Sequence, residues 1–316
     1  MGPERTEARR MTARELTVPT TPAAKVTTDP LPARYANVQE RVAQAAKRSG
    51  RKPGEIILVA VTKNAAPEQI RTLLDLGHRD FGENRVQVLM QHAAIVEEYF
   101  ARQRLVPAGR PRNGGNGESL FETADAKLRP APTLPAGRDG VRWHMIGHLQ
   151  RNKARKVVEF TRLIHSVDSL RLAEELQQLA LRRDQVIEVL LQVNCSGEAQ
   201  KFGCPLPAAI PLAEQIGTMI NVRLRGLMTM AAEGKPEDAR PAFARCRDLF
   251  EEMATRGVSE GPFNLLSMGM SGDFEVAISE GANIVRVGSA IFGAAPTGPE
   301  RAEPVEPDEG EDSVES

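Results

Sequence analysis

Cysteine is scarce and scattered in this chain. Its three cysteines, Cys195, Cys204 and Cys246, are too few and too widely spread for a disulfide framework. No CxxC or CxxH pair offers a metal site. A reduced cytoplasm is therefore the expected compartment. An excess of charge of one sign is missing too: 41 Lys and Arg face 42 Asp and Glu, a net charge of −1. That leaves no global basic field for nucleic acid. No apolar run approaches the ~18 residues of a membrane span. The N-terminus lacks the apolar core of a secretory signal.

Against these absences stands the run IILVAVTK at 56–63. It is apolar and β-branched, with Pro53-Gly54 before it and Pro67 after it, the pattern of a buried strand in a parallel sheet. Alternation puts Ile57, Val59, Val61 and Lys63 on one face. Two readings of Lys63 stand. One is a lysine that snorkels into solvent beyond the strand. The other is a desolvated amine poised to form a Schiff base with an aldehyde.

The same reading extends along the chain. Residues 1–30 lack apolar periodicity and read as a disordered tail. A helix over 32–49 precedes the first strand, 56–62. A helix at 67–76 and a strand at 79–82 follow, and GENRVQ opens a helix through Tyr99. Residues 101–140, rich in Gly and Pro, read as a surface insertion. Further strands are expected at 142–147, 162–167, 187–194, 223–229, 264–268 and 283–287. Helices are expected at 149–159, 169–183 (capped by Asp168), 207–219, 236–256 and 271–281. The segment 295–316, with eight acids against one arginine, reads as a disordered acidic tail.

Eight strands alternating with helices predict a (β/α)8 TIM barrel over 31–294, with an extra N-terminal helix. The runner-up, an open doubly wound sheet, would usually show a Gly-rich turn after its first strand; here that turn is TKNAAP. In a barrel the site forms at the C-terminal strand ends. Strands seven and eight end in Ser267-Met268-Gly269-Met270-Ser271-Gly272 and Gly288-Ser289, turns small enough to hold a phosphate. Those turns and Lys63 describe a pocket for a phosphorylated aldehyde. Arg286 beside them would hold the phosphate or a ring nitrogen, or else serve a structural salt bridge. His78 and His92 read as surface residues, His165 as a satisfied barrel histidine, and Cys195 as an ordinary thiol. The basic run Arg151, Lys153, Arg155 and Lys156 reads as a solvated helix face or a site for an anionic partner.

Eight blocks carry a family resemblance: LVAVTKNAAPEQI (58–70), DFGENRVQ (80–87), WHMIGHLQRNK (143–153), VDSLRLAEEL (167–176), LLQVN (190–194), LRGLMTM (224–230), LSMGMSGDFEVAI (266–278) and VRVGSAIFG (285–293). In this order they resemble the YggS/PROSC family, the pyridoxal phosphate homeostasis proteins, similar in fold to the barrel domain of alanine racemase. The resemblance implies pyridoxal 5′-phosphate as cofactor and Lys63 as its Schiff-base lysine. It implies a phosphate cradle from the turns holding Ser267, Met270, Ser271, Gly288 and Ser289. It also implies Arg286 at the pyridine nitrogen, with Asn84 and His144 lining the pocket. His148, where some members carry proline, the insertion and both tails depart from the pattern.

The function implied is that of a carrier for intracellular vitamin B6, a monomer that masks the reactive aldehyde and passes the cofactor to apo-enzymes without catalysis. A pyridoxal phosphate-dependent racemase-like enzyme is the alternative. A phosphosugar barrel enzyme would leave the eight blocks unexplained. A racemase needs a base on each face of the substrate. The two tyrosines, Tyr35 and Tyr99, stand at no expected strand end, and no β-domain is expected in the acidic segment after Gly293.

Overall fold

The computed structural model describes residues 30–105, 140–198 and 200–293. The expected tails, and all but the ends of the expected insertion at 101–140, lie outside the described residues. Eight parallel strands close into a barrel: β1 (Ile57–Val61), β2 (Asp80–Glu83), β3 (Arg142–Met145), β4 (Thr161–Val167), β5 (Ile187–Asn194), β7 (Val222–Met228), β8 (Leu265–Ser267) and β9 (Ile284–Val287). The first strand sits between β2 and β9, with Ala60 opposite Phe81 and Val59 opposite Arg286. Pairing of β4 with β5, Ile164 opposite Val189, closes the ring. A two-residue strand β6 (Cys204–Pro205) adds to the end of β5. The sequence reading missed it, because two residues carry no periodicity.

The strands form where β-branched runs are buried on both faces. Leu58 and Ala60 face the helical shell, whereas Ile57 and Val59 face the barrel interior with Leu163, Leu190, Met228, Leu265 and Ile284. The interior is thus a packed core, as expected of this architecture. Nine helices surround it among the described residues: α1 (Leu31–Arg48), α2 (Pro67–Asp75), α3 (Val86–Leu105), α4 (Arg151–Val157), α5 (Leu170–Arg182), α6 (Leu206–Gly217), α7 (Arg240–Arg256), α8 (Phe274–Ser279) and α9 (Ser289–Phe292). Helix α5 shows why they form: Leu172, Ala173, Leu176, Leu179 and Ala180 recur at helical spacing and are buried. Truncating a fully buried residue such as Leu176 to alanine would cost about 2–5 kcal/mol. None of the helices is long and apolar enough to cross a membrane.

Some expectations shift. Helix α3 continues to Leu105, past the expected stop at Tyr99. Residues 236–239 form a separate 3-10 turn before α7. Asp168 does not cap α5; Ser169 holds that position, with no side-chain cap bond. His78 and His92 are buried, not exposed. Each is accommodated by hydrogen bonding, at both ring nitrogens of His78 and at Nδ1 of His92. His78 meets the Tyr35 hydroxyl at 3.0 Å and the Asp80 carbonyl at 2.7 Å. His92 lies 2.7 Å from Glu83. His165 is a fully buried, hydrogen-bonded barrel histidine, as expected.

Candidate functional site

A cavity of about 1260 Å3 opens at the C-terminal ends of the strands. The loops after β1, β2, β3, β8 and β9 all reach it, bringing together Lys63, Asn84, Met270, Ser271, Arg286, Gly288 and Ser289. Strand β1 ends at Val61, so Lys63 stands past the last ladder pair. Thr62 turns away, buried and bonded to Glu83, and the next side chain points to the cavity. Lys63 is exposed on the rim. Of the two readings of Lys63, this exposure fits the lysine that reaches solvent beyond the strand and not the desolvated amine: the apolar side chains beneath it end two residues short.

The β8 and β9 turns pack on each other through one oxygen. Ser271 Oγ accepts from the backbone N–H of Gly288 at 3.1 Å and of Ala290 at 3.3 Å. Asp273 holds the β8 turn by accepting from the Met270 N–H at 2.5 Å. Gly269 makes that turn possible: its φ is +94°, and a Cβ there would fall 2.6 Å from the Ala277 Cβ. On the opposite wall Gly147 lies so close to the β2 loop that a Cβ would meet the Asn84 carbonyl oxygen at 2.2 Å.

Arg286 forms the floor and is buried. Its Nη1 donates to Ser267 Oγ at 2.6 Å and its Nη2 to the Thr229 carbonyl at 3.0 Å. Burial lowers its pKa to about 10, with Asp273 and Cys246 opposing, so it stays cationic at neutral pH. His144 and Ser267 do not line the cavity, contrary to expectation. Both are fully buried beneath it, His144 against Asp80 and His165, Ser267 against Arg286 and His165. Their side chains point into the barrel one layer below the floor.

Several lining residues stand outside the site expected from the sequence. Arg85, Lys153, Gln192 and Met230 reach the cavity, and His148 stacks on Phe202 at its mouth with ring centroids 4.5 Å apart. Asp168 sits 3.9 Å from His148. Arg85 adjoins the GEN motif and Lys153 lies in the basic run, so both had a signal. Phe202 had none, since an aromatic side chain in a loop shows no periodicity. Among the described residues four cationic side chains line the cavity (Lys63, Arg85, Lys153 and Arg286) against one carboxylate, Glu233. Such a lining favours an anionic ligand.

Barrel, β1 lysine and paired β8–β9 turns define a (β/α)8 protein of the alanine racemase N-terminal domain class, and that family matches residues 34–296. A pyridoxal phosphate homeostasis protein of Pseudomonas aeruginosa is 36% identical over 82% of this chain and 93% of its own length. A solved structure of PipY from Synechococcus elongatus with pyridoxal phosphate bound is 30% identical, with TM-score 0.57, covering 81% of this chain and all (100%) of that one. A Bifidobacterium adolescentis protein of unknown function is 35% identical in its crystal structure, with TM-score 0.66, covering 83% of this chain and 94% of that one. The chain belongs to the pyridoxal phosphate homeostasis protein family.

Proposed function

We propose that this protein binds pyridoxal 5′-phosphate through Lys63, in a Schiff base, and passes it to apo-enzymes within the cell as part of vitamin B6 homeostasis. The observation that carries the reading is the placement of Lys63 across one cavity from the Ser271-centred turns. Its similarity to pyridoxal phosphate homeostasis proteins and the ligand bound in PipY support it. The donor set fits the group. Two backbone N–H groups already converge on a hydroxyl oxygen at Ser271, and the Ser289 hydroxyl stands beside them, suited to phosphate oxygens. Arg286 offers a donor to a ring nitrogen, and Asn84 a side-chain amide from the facing wall.

When bound, the cofactor supplies an electrophilic aldehyde and a ring that stabilises negative charge. Lys63 would hold that aldehyde carbon through its amine. Exposure on the rim keeps this linkage open to water, and hence to reversal, which suits delivery. Arg286 discourages protonation of a ring nitrogen beside it, because two adjacent positive charges repel. That weakens the ring's ability to stabilise a carbanion.

Neither tyrosine provides a second base at the cavity. The Tyr35 hydroxyl is bonded to His78, and the Tyr99 hydroxyl to Asp75. We infer a monomeric carrier with no racemase activity. Holo-protein mixed with L-amino acids in deuterated water should show no α-proton exchange by NMR. Turnover on the order of 1 s⁻¹, ordinary for enzymes, would favour the racemase-like reading. Titration with pyridoxal phosphate should give a new visible absorption band in the wild type and none in Lys63→Ala. A wild type that stays colourless would overturn the proposal.

A further inference from the structure

Beneath the cavity floor lies a run of buried polar groups to which the proposed function gives no role. Arg286 Nη1 donates to Ser267 Oγ at 2.6 Å. Ser267 Oγ lies 3.0 Å from His165 Nδ1. His165 Nε2 lies 2.9 Å from His144 Nδ1. His144 Nε2 lies 3.2 Å from Asp80 Oδ1. Asp80 also accepts from Arg142 Nε at 2.7 Å and Nη2 at 2.5 Å. Every one of these residues is buried, and the run crosses the barrel interior from β2 to β9.

The chemistry of the two ends fixes every proton between them. A guanidinium only donates, and an ionised carboxylate only accepts. Asp80 is ionised: burial pushes its pKa up, but hydrogen bonds from Arg142 and His144 outweigh that and hold it at about 2. His144 must therefore donate through Nε2. A neutral imidazole has one donor, so His144 Nδ1 accepts, and its proton comes from His165 Nε2. By the same rule His165 Nδ1 accepts, and Ser267 gives its only proton there. The Ser267 lone pairs are then left for Arg286. Both rings are held neutral: burial lowers each pKa below 6.5, helped by Arg142 and Arg162 at His144 and by Arg286 at His165, although Asp80 opposes at His144.

We propose that Asp80, His144, His165 and Ser267 form a one-way hydrogen-bond chain that positions Arg286 as a fixed, fully charged donor at the cavity floor. These four are positioning residues, since none of them lines the cavity and Arg286 does. Neither hydrogen-bond partner of the guanidinium, Ser267 Oγ or the Thr229 carbonyl, is charged, so neither cancels its charge. With Ser267 unable to donate upward, the floor accepts only a ligand group that presents a lone pair. An unprotonated ring nitrogen qualifies; an N-alkylated or protonated one does not. This selectivity rests on the pyridoxal phosphate reading, but the proton arrangement does not.

The full-length protein labelled with 15N-histidine tests the chain directly by NMR, without added ligand. His144 and His165 should both appear as neutral Nε2–H tautomers that do not titrate between about pH 6 and 8. An Nδ1–H tautomer on either ring, or titration inside that window, overturns the chain. In a second arm Ser267→Ala should weaken pyridoxal phosphate binding by about tenfold, whereas Ser267→Thr, which keeps the hydroxyl, should stay within about threefold of wild type. Equal affinity in Ser267→Ala and wild type would show that the chain does not position Arg286. A wild type that binds no pyridoxal phosphate would defeat the functional reading, and the tautomers would then decide the chain alone.

Discussion

The floor and the rim of the cavity are built in opposite ways. On the floor Arg286 is buried and bonded twice, and the residues beneath it are bonded in series to Asp80 and Arg142. On the rim Lys63, Arg85 and Phe202 are exposed, and Phe202 is held by one stacking contact with His148. The floor is fixed by the fold before a ligand arrives. The rim is free to react, admit and release. The proposed carrier role needs both properties, and the fold separates them: Arg286 and the residues beneath it are locked inside the barrel, whereas Lys63, Arg85 and Phe202 past the strand ends are exposed.

The largest effect should come from cutting the anchor of the floor. Asp80→Ala would remove the buried carboxylate that pairs with Arg142 and accepts from His144, and is expected to cost about 3–5 kcal/mol. Thermal melting should fall by about 10 °C for a domain of this size. A loss under about 2 °C would mean that the pair contributes little. Lys63→Ala sets the contrast: stability within about 0.5 kcal/mol of wild type, as for an exposed residue, with complete loss of covalently retained cofactor.

Acid should act on the same buried histidines. Their folded pKa values lie below that of the unfolded chain, chiefly because of burial, with Asp80 opposing at His78. The unfolded state therefore binds protons first as pH falls below 6.5. Their contribution is fully present above that pH and is lost on the way down. For His78, with a folded value of about 4, the loss is about 3 kcal/mol when complete. Urea midpoints should be clearly lower at about pH 5 than at about pH 7.5. Equal midpoints would show that these rings are not held neutral.

A smaller effect is expected at the ligand: Arg286→Gln should weaken pyridoxal phosphate binding by about 1.5–3 kcal/mol, the worth of a hydrogen bond to a charged group. Calorimetric titration would reveal it, and an unchanged Kd would remove Arg286 from the contact. The smallest change lies at the rim. Phe202→Ala should alter affinity or stability by no more than about 0.5–1.5 kcal/mol, the worth of one aromatic pair. A larger loss would mean that the rim is part of the fixed site.

Much of this was legible in the sequence for a physical reason. Strands of a parallel barrel are buried on both faces and read as apolar runs, so β1, β5 and the barrel order could be seen. Glycine and serine after β8 and β9 marked the turns, because only small residues permit that backbone. The sequence could not reveal which polar residues meet across the interior. Asp80 and Arg286 are brought into one chain of bonds only when β9 pairs with β1 and β4 with β5. For the same reason the sequence pattern puts His144 and Ser267 in the pocket wall although they lie beneath it, and reads His78 and His92 as surface residues although Tyr35, on helix α1, and Glu83, on strand β2, bond to them.

The claim on which the account turns is that Lys63 holds pyridoxal phosphate in this cavity. Borohydride reduction of the reconstituted full-length protein, followed by peptide mass spectrometry, measures it. The account predicts the reduced pyridoxyl group on the peptide containing Lys63. The same group found only on another lysine, such as Lys153 or Lys201, or on none, would contradict it.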